Sequence, residues 1–171
     1  MRDRFERMAE DVFPSLYGTA LRLTRDPEDA SDLSQEALIR AYEAFDRFDG
    51  RNFKAWMLRI LTNLYINRYR KRQRTGTPSS LDDEEAMEPV APAAEVPDRQ
   101  LLDELVGAEI EEALANVPEA FRMTVVLSDI EGMSYDEVAA ATDVPVGTVR
   151  SRLHTARERF RDLWITATAE A

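Results

Sequence analysis

"VPVGTVRSRLHTARERFRDL", residues 144–163, is the stretch that decides the fold. Val146, Val149, Leu153, Ala156, Phe160 and Leu163 recur at intervals of three and four, which predicts a helix with one apolar stripe. Arg150, His154, Arg157 and Arg161 share a second face, and Arg152 and Arg159 add to the basic run. Just upstream, "SYDE" (134–137) has the form of a capping box, with Ser134 as cap and Glu137 as reciprocal partner. A short helix then reaches Ala141, and "TDVP" makes a turn. Short helix, turn and basic second helix form a helix–turn–helix, a shape that suits the major groove of DNA. Arginine pairs with guanine O6 and N7 or with phosphates, and Ser or Thr takes either kind of partner. Gly147 and Thr148, at the helix start, leave room for close backbone approach. The same pattern also fits a solvated helical hairpin whose arginines balance nearby acids.

Working outward, the rest of the chain sets limits. Its 171 residues suffice for one ordinary domain or two small ones. There is no cysteine and one histidine, so disulfides, thiolate metal sites and thiol catalysis are excluded. Enzymes built on carboxylates alone stay open at this point, but no catalytic residue, metal ligand or cofactor site is marked, and none is expected. No apolar run approaches the roughly 18 residues of a membrane span. The N-terminal "MRDRFERMAEDVF" lacks the apolar core of a signal peptide, so a cytoplasmic location without membrane insertion is expected. The formal net charge is −11, but it is unevenly spread: residues 1–78 carry a net +3, 79–98 a net −7, and 99–171 another −7. An acidic total weakens nonspecific attraction to phosphates, so nucleic-acid binding must rely on local basic faces.

The pattern predicts an all-α fold of two small helical domains, residues 1–75 and 101–171, joined by a linker over 76–100. The linker region, "TGTPSSLDDEEAMEPVAPAAEVPD" (75–98), has four prolines, strong acidity and no helical period. It reads either as a solvated spacer or as a strand suited to a basic channel. In the first domain Phe5, Met8, Val12, Leu16, Ala20 and Leu23 mark a helix, with Pro14 as a kink or a new start. Asp26 as N-cap and Pro27 at the first position open a second helix, whose apolar face is Ala30, Leu33, Ala37, Ala41 and Phe45. "FDGRN" turns the chain through Gly50, and Asn52 caps a long helix from Phe53 to about Gln73. In the second domain Leu102, Val106, Ile110 and Ala113 mark a helix, and another follows from Pro118 to Gly132.

Two more faces carry chemistry. On the long helix Arg59, Asn63, Asn67, Arg70 and Arg74 align, while Phe53, Trp56, Ile60 and Leu64 form the expected buried face. Amides aligned with bases suit base-edge reading, and "RYRKRQR" (68–74) suits phosphates. Phe48 is the better candidate to stack on an unpaired base, Trp56 the better candidate for the core. On the preceding helix Asp32, Gln35, Glu36 and Arg40 make an exposed polar stripe that means little by itself.

"DLSQEALIRAYEAFDRF", "FKAWMLRILTNLYINRYRKRQR" and "LANVPEAFRMTVVLSDIEGMSYDEVAAATDVPVGTVRSRLHTARERFRDL", in that order around an acidic linker, resemble the extracytoplasmic-function group of bacterial sigma factors. The resemblance implies a specificity subunit, not an enzyme. Asp32, Gln35, Glu36 and Arg40 would then dock on core RNA polymerase. Phe48, Asn63, Asn67, Arg70 and Arg74 would meet the −10 promoter element, with Phe48 and Asn63 capturing a flipped base. Thr148, Arg150, Ser151, His154, Thr155 and Arg157 would read the −35 element. The linker would enter the polymerase cleft, and an anti-sigma factor is an implied partner beside core polymerase and promoter DNA. Two positions depart from the family pattern: Thr155, where arginine is frequent, and Ser128, where a basic residue sometimes stands. The alternatives are a free-standing helix–turn–helix regulator acting as a dimer, and a helical adaptor that binds only protein. The linker and the 26–74 region argue against the regulator.

Overall fold

The computed structural model describes residues 1–74 and 107–169, and all the regular structure among them is helical. The expected linker, and Leu102 and Val106, lie outside the described residues, as do the side chains of Ile110 and Leu163.

Helix α1 spans Arg2–Thr24 and runs through Pro14 without a new start; Arg25 ends it in the left-handed region, at φ 58°. Helix α2 spans Pro27–Glu43. Its N-cap is Asp26, whose carboxylate accepts from the backbone N–H groups of Glu28 at 2.9 Å and Asp29 at 3.0 Å. A single 3₁₀ turn, Phe45–Arg47, leads into the "FDGRN" loop. There Gly50 takes φ +84° and Asn52 φ +39°, values open to glycine and tolerated by asparagine. Asn52 Oδ1 then accepts from Ala55 N–H at 3.1 Å and so caps helix α3, Phe53–Arg74.

The expected faces of α1 and α2 hold: Phe5, Leu16, Ala20 and Leu23 are buried, as are Ala30, Leu33, Ala37, Ala41 and Phe45. The buried face of α3 is a correction. Phe53, Met57, Leu58, Leu61, Tyr65 and Ile66 are buried, whereas Trp56, Ile60 and Leu64 are only partly so. Helix α3 is gripped from two sides, by α1 and α2 and by a helix of the second unit, so its buried surface is wider than one stripe.

The second unit begins with α4, Gly107–Ala115. Helix α5, Glu119–Val125, continues into one π turn, Val126–Ile130, closed by Glu131 N–H donating to the Val126 carbonyl at 3.0 Å. Gly132, at φ +74°, turns the chain toward α6, Tyr135–Thr142, and α7, Val146–Ala169. Ser134 caps α6 as expected, its hydroxyl accepting from Glu137 N–H at 3.1 Å. The Glu137 carboxylate accepts a hydrogen bond from Asn52 of the first unit, at 3.3 Å, where the capping box expected it to serve Ser134. Val149, Leu153, Ala156 and Phe160 pack α7 onto α5 and α6 with at most 2% exposure, as the opening stripe requires.

The two units are not separate beads. Helix α3 packs along α6, α1 touches α5 and the π turn, and the buried side chains of both units form one continuous cluster.

Candidate nucleic-acid interface

The outer row of α3 is what the sequence suggests. Arg59, Asn63, Asn67, Arg70 and Arg74 are all exposed and aligned. Phe48 stands at the head of this row, half-buried in an aromatic group: its ring centroid lies 4.9 Å from Trp56, 5.5 Å from Phe53 and 6.0 Å from Phe45. Trp56 is also half-buried. The loop, Trp56 and Arg59 line one wall of a cleft of about 320 Å³, joined there by Arg47 and Arg51. Met133, Glu137 and Ala140 of the second unit form the facing wall. Arg47 and Arg51 were not singled out from sequence, although the first precedes and the second belongs to the very loop that was.

On α2, Asp32, Gln35 and Arg40 are exposed. Glu36 is half-buried, ion-paired with Arg68 of α3 and 3.9 Å from Arg40. Sequence reading passed over Ile39, which is 60% exposed in the same stripe. Its signal was available: an apolar residue four positions after Gln35 on an otherwise polar face. An isoleucine held in water beside charges suits a protein partner better than a nucleic acid.

The helix–turn–helix face divides. Arg150 and Ser151 are exposed at the start of α7, with Thr148 half-buried beside them. His154 is half-buried, and its Nε2 is enclosed without a hydrogen-bond partner. Two residues assigned to this face point inward. Thr155 is 4% exposed, packed within the unit. Arg157 has a side chain 13% exposed and donates to Asp129 at 2.9 Å through Nε and 2.5 Å through a terminal nitrogen. Burial opposes the Arg157 charge, but the hydrogen bond and charge of Asp129, with Tyr135 adding to them, more than compensate and raise its pKa. The physical reason for both corrections is helix phase. Arg157 adjoins Ala156 of the apolar stripe, and the π turn presents Asp129 opposite it. Ser128, like Thr155, is buried, so neither departure from the family pattern removes a charge from the surface of this arrangement.

Acidic residues of the second unit that sequence reading did not select face the first unit. Glu119 is buried, accepting from the Tyr65 hydroxyl and from Arg122, whose guanidinium also donates to the Leu23 carbonyl at 3.4 Å. Burial raises the Glu119 pKa, against the opposing pull of Arg122, Tyr65 and Arg25. Burial, and then Glu119 itself, raise that of Tyr65. The Glu131 side chain, 6% exposed, accepts from Thr19 at 2.9 Å and pairs with Lys54 at 3.1 Å and Arg22 at 3.8 Å. Glu111 pairs with Arg22 at 3.1 Å. Among the described residues no group of three or more His, Cys, Asp or Glu side chains is placed to hold a metal ion. No described helix is long and apolar enough to cross a membrane.

Two family models match this framework: Sigma-70 region 2 over residues 8–75 and Sigma-70 region 4 over residues 107–160. The first covers the loop and the exposed row of α3, the second the helix–turn–helix. A chain with both has the two halves of a sigma-70-type factor.

The relatives narrow the class. ECF RNA polymerase sigma factor SigE of Mycolicibacterium smegmatis is 37% identical over 147 residues, covering 86% of this chain but only 56% of that protein. ECF RNA polymerase sigma factor SigW of Bacillus subtilis is 30% identical over 168 residues, covering 94% of this chain and 88% of its own length. The chain belongs to the extracytoplasmic-function group of the bacterial sigma-70 family. Among solved structures, the sigma factor RpoE in complex with the anti-sigma factor NepR from Bartonella quintana superposes with a TM-score of 0.71 at 28% identity, over 96% of this chain and 98% of that one. CnrH in complex with the cytosolic domain of CnrY shares the fold, with a TM-score of 0.65 at 23% identity over 97% and 90% of the two chains.

Proposed function

We propose that this chain binds core RNA polymerase in the cytoplasm and directs it to promoters, contributing recognition and no bond-making chemistry of its own. The observation that carries the reading is the exposed row from Arg59 to Arg74 on α3, headed by an aromatic loop, in a chain that also carries a helix–turn–helix. Bases and amides spaced along one helix suit a DNA strand: Arg70 and Arg74 neutralise phosphates, while Asn63 reads the edge of a base extruded toward Phe48. Arg150 and Ser151 open α7, the end of a recognition helix that meets base edges, with Thr148 and His154 beside them. Thr155 and Arg157 support that helix from inside. The α2 stripe of Asp32, Gln35, Ile39 and Arg40 is the polymerase-docking surface, with Glu36 positioned by Arg68.

The acidic total suits a factor that borrows nonspecific DNA affinity from polymerase and binds promoters poorly alone. An anti-sigma factor holds the chain inactive until a stress signal releases it; the likeness to an anti-sigma-bound RpoE supports this part of the reading. Transcription in vitro with core polymerase on a promoter library tests the proposal, with start sites that appear only when this chain is added as the expected result. A free-standing regulator would instead shift promoter DNA without polymerase.

A further inference from the structure

The cleft beside the loop is a different place from the exposed row of α3. Of that row only Arg59 lines it; Asn63, Asn67, Arg70 and Arg74 do not, and neither does Phe48. It brings together Arg47, Arg51, Arg59, Trp56, Met133 and Glu137 around about 320 Å³. That size lies at the lower end of small-molecule sites, which run from about 300 to 1,000 Å³. Its three guanidiniums are unpartnered: among the described residues none of them makes a hydrogen bond or ion pair through its side chain. The chain has 33 acids against 22 bases, so these arginines do not stand alone for want of carboxylates. Two carboxylates do line the cleft, but each is turned to another donor. Asp49 Oδ1 accepts from the backbone N–H of Arg51 at 2.9 Å, and Glu137 Oε2 accepts from the Asn52 amide at 3.3 Å.

We propose that this cleft binds a nucleoside di- or triphosphate whose base carries an exocyclic amine. Arg47, Arg51 and Arg59 hold the phosphates. Each guanidinium stays charged at any physiological pH and offers a planar fork that matches phosphate oxygens. Asn52, Ala55 and Trp56 place the N-terminal end of α3 at the same cleft, and its dipole favours an anion there. Trp56 supplies a face for the base. It is half-buried and packed on Phe48 and Phe53, with centroids 4.9 and 5.7 Å away, so its indole is held in place rather than free to turn aside. Glu137 supplies the reading group. One of its oxygens accepts from Asn52, and the other is without a hydrogen bond among the described residues, open to an amine of the base. Adenine, guanine and cytosine carry such an amine, whereas uracil, like thymine, presents a carbonyl. A DNA strand running along α3 has no need of the facing wall that Met133, Glu137 and Ala140 form, but a single nucleotide enclosed between two walls does. The site requires neither polymerase nor promoter, so it stands apart from the function proposed above.

The test uses the full chain alone, because nucleotides are also substrates of polymerase. Equilibrium dialysis with labelled ATP at fixed ionic strength is expected to give saturable binding with a Kd below about 1 mM. UTP, which offers no amine to Glu137, is expected to bind at least about fivefold more weakly. Inorganic triphosphate, which has no base for Trp56, is expected to bind at least about tenfold more weakly than ATP. Arg47→Ser with Arg51→Ser should weaken ATP binding at least about tenfold. Arg7→Ser with Arg159→Ser removes the same charge from exposed positions outside the cleft and should change it by less than about twofold. The replaced side chains are all exposed, so circular dichroism of both variants should match the parent. No saturable ATP binding, or equal losses in the two double variants, overturns the proposal. So does ATP that binds no more tightly than UTP or inorganic triphosphate. A single-stranded DNA decamer that binds through Arg47 and Arg51 while free ATP does not overturns it too, and returns these arginines to the DNA surface.

Discussion

Arg157→Ala should unfold the second unit far more readily than its position on an arginine-rich helix suggests. The Asp129 side chain is 3% exposed and that of Arg157 13%, and two hydrogen bonds join them. Truncating the arginine leaves a carboxylate buried without its counter-charge, a loss of about 3–5 kcal/mol. Native stabilities are about 5–15 kcal/mol, so this is a large share. With a urea dependence of about 2 kcal/mol per molar, the midpoint should fall by roughly 1.5–2.5 M. The assay is urea unfolding of the full chain followed by circular dichroism. A paired replacement, Asp129→Leu with Arg157→Met, should recover most of the loss, because removing both charges leaves no orphan. An Arg157→Ala midpoint within about 0.3 M of the parent, accompanied by weaker DNA binding, would refute the reasoning and return Arg157 to the phosphate backbone.

Arg150→Ala, by contrast, should leave the urea midpoint unchanged and cost about 1–3 kcal/mol of discrimination at one or two −35 positions, read as holoenzyme affinity for single-base promoter variants; a uniform loss across variants would contradict it. Asn63→Ala should relax preference at a single −10 position by a similar amount while −35 preference stays intact, measured on a −10 variant panel. Asp32→Ala with Gln35→Ala should weaken core polymerase binding in a titration without changing helical content, and equal affinity would remove the docking assignment. Glu119 governs a pH effect. Its pKa is raised in the folded chain above the ordinary 4.5, so the cost of burying its charge is full at neutral pH and disappears as pH falls toward 4.5. With Arg122, Tyr65 and Arg25 around it, its own contribution should make the folded chain more urea-resistant on acidification across that window, and Glu119→Gln should flatten that component. Identical pH profiles for the two proteins would contradict this.

The helices were legible because periodicity and caps agree locally. Asp26, Asn52 and Ser134 each cap the helix they were expected to cap. Pro14 was not decisive: one missing backbone donor did not stop a helix held by buried residues on both sides of it. The exposed row of α3 was legible because five polar residues in register leave little choice of face. Its buried rows were not, because α6 packs on α3 from a distant part of the sequence, beyond the 75–106 segment, and periodicity carries no information about a distant neighbour. Arg157 and Asp129 were hidden for the same reason. Each reads as an ordinary surface charge until the π turn after α5 brings the two together. Apart from Glu137, read as a capping partner, the acids that meet the first unit were read only as net charge, since their partners lie across the 75–106 segment. Ile39 was within reach of the sequence alone from its place in the α2 stripe, as Arg47 and Arg51 were from their place at the "FDGRN" turn.

The central claim is that the exposed face of α3 and the start of α7 together direct polymerase to promoters. The most direct measurement is run-off transcription in vitro by core polymerase on a pooled promoter library, with start sites sequenced, for the parent, Asn63→Ala and Arg150→Ala chains. The account expects start sites dependent on the parent chain, with preference altered at the −10 element by the first substitution and at the −35 element by the second. Start sites that are the same with and without the chain, or identical preferences in all three proteins, would contradict it.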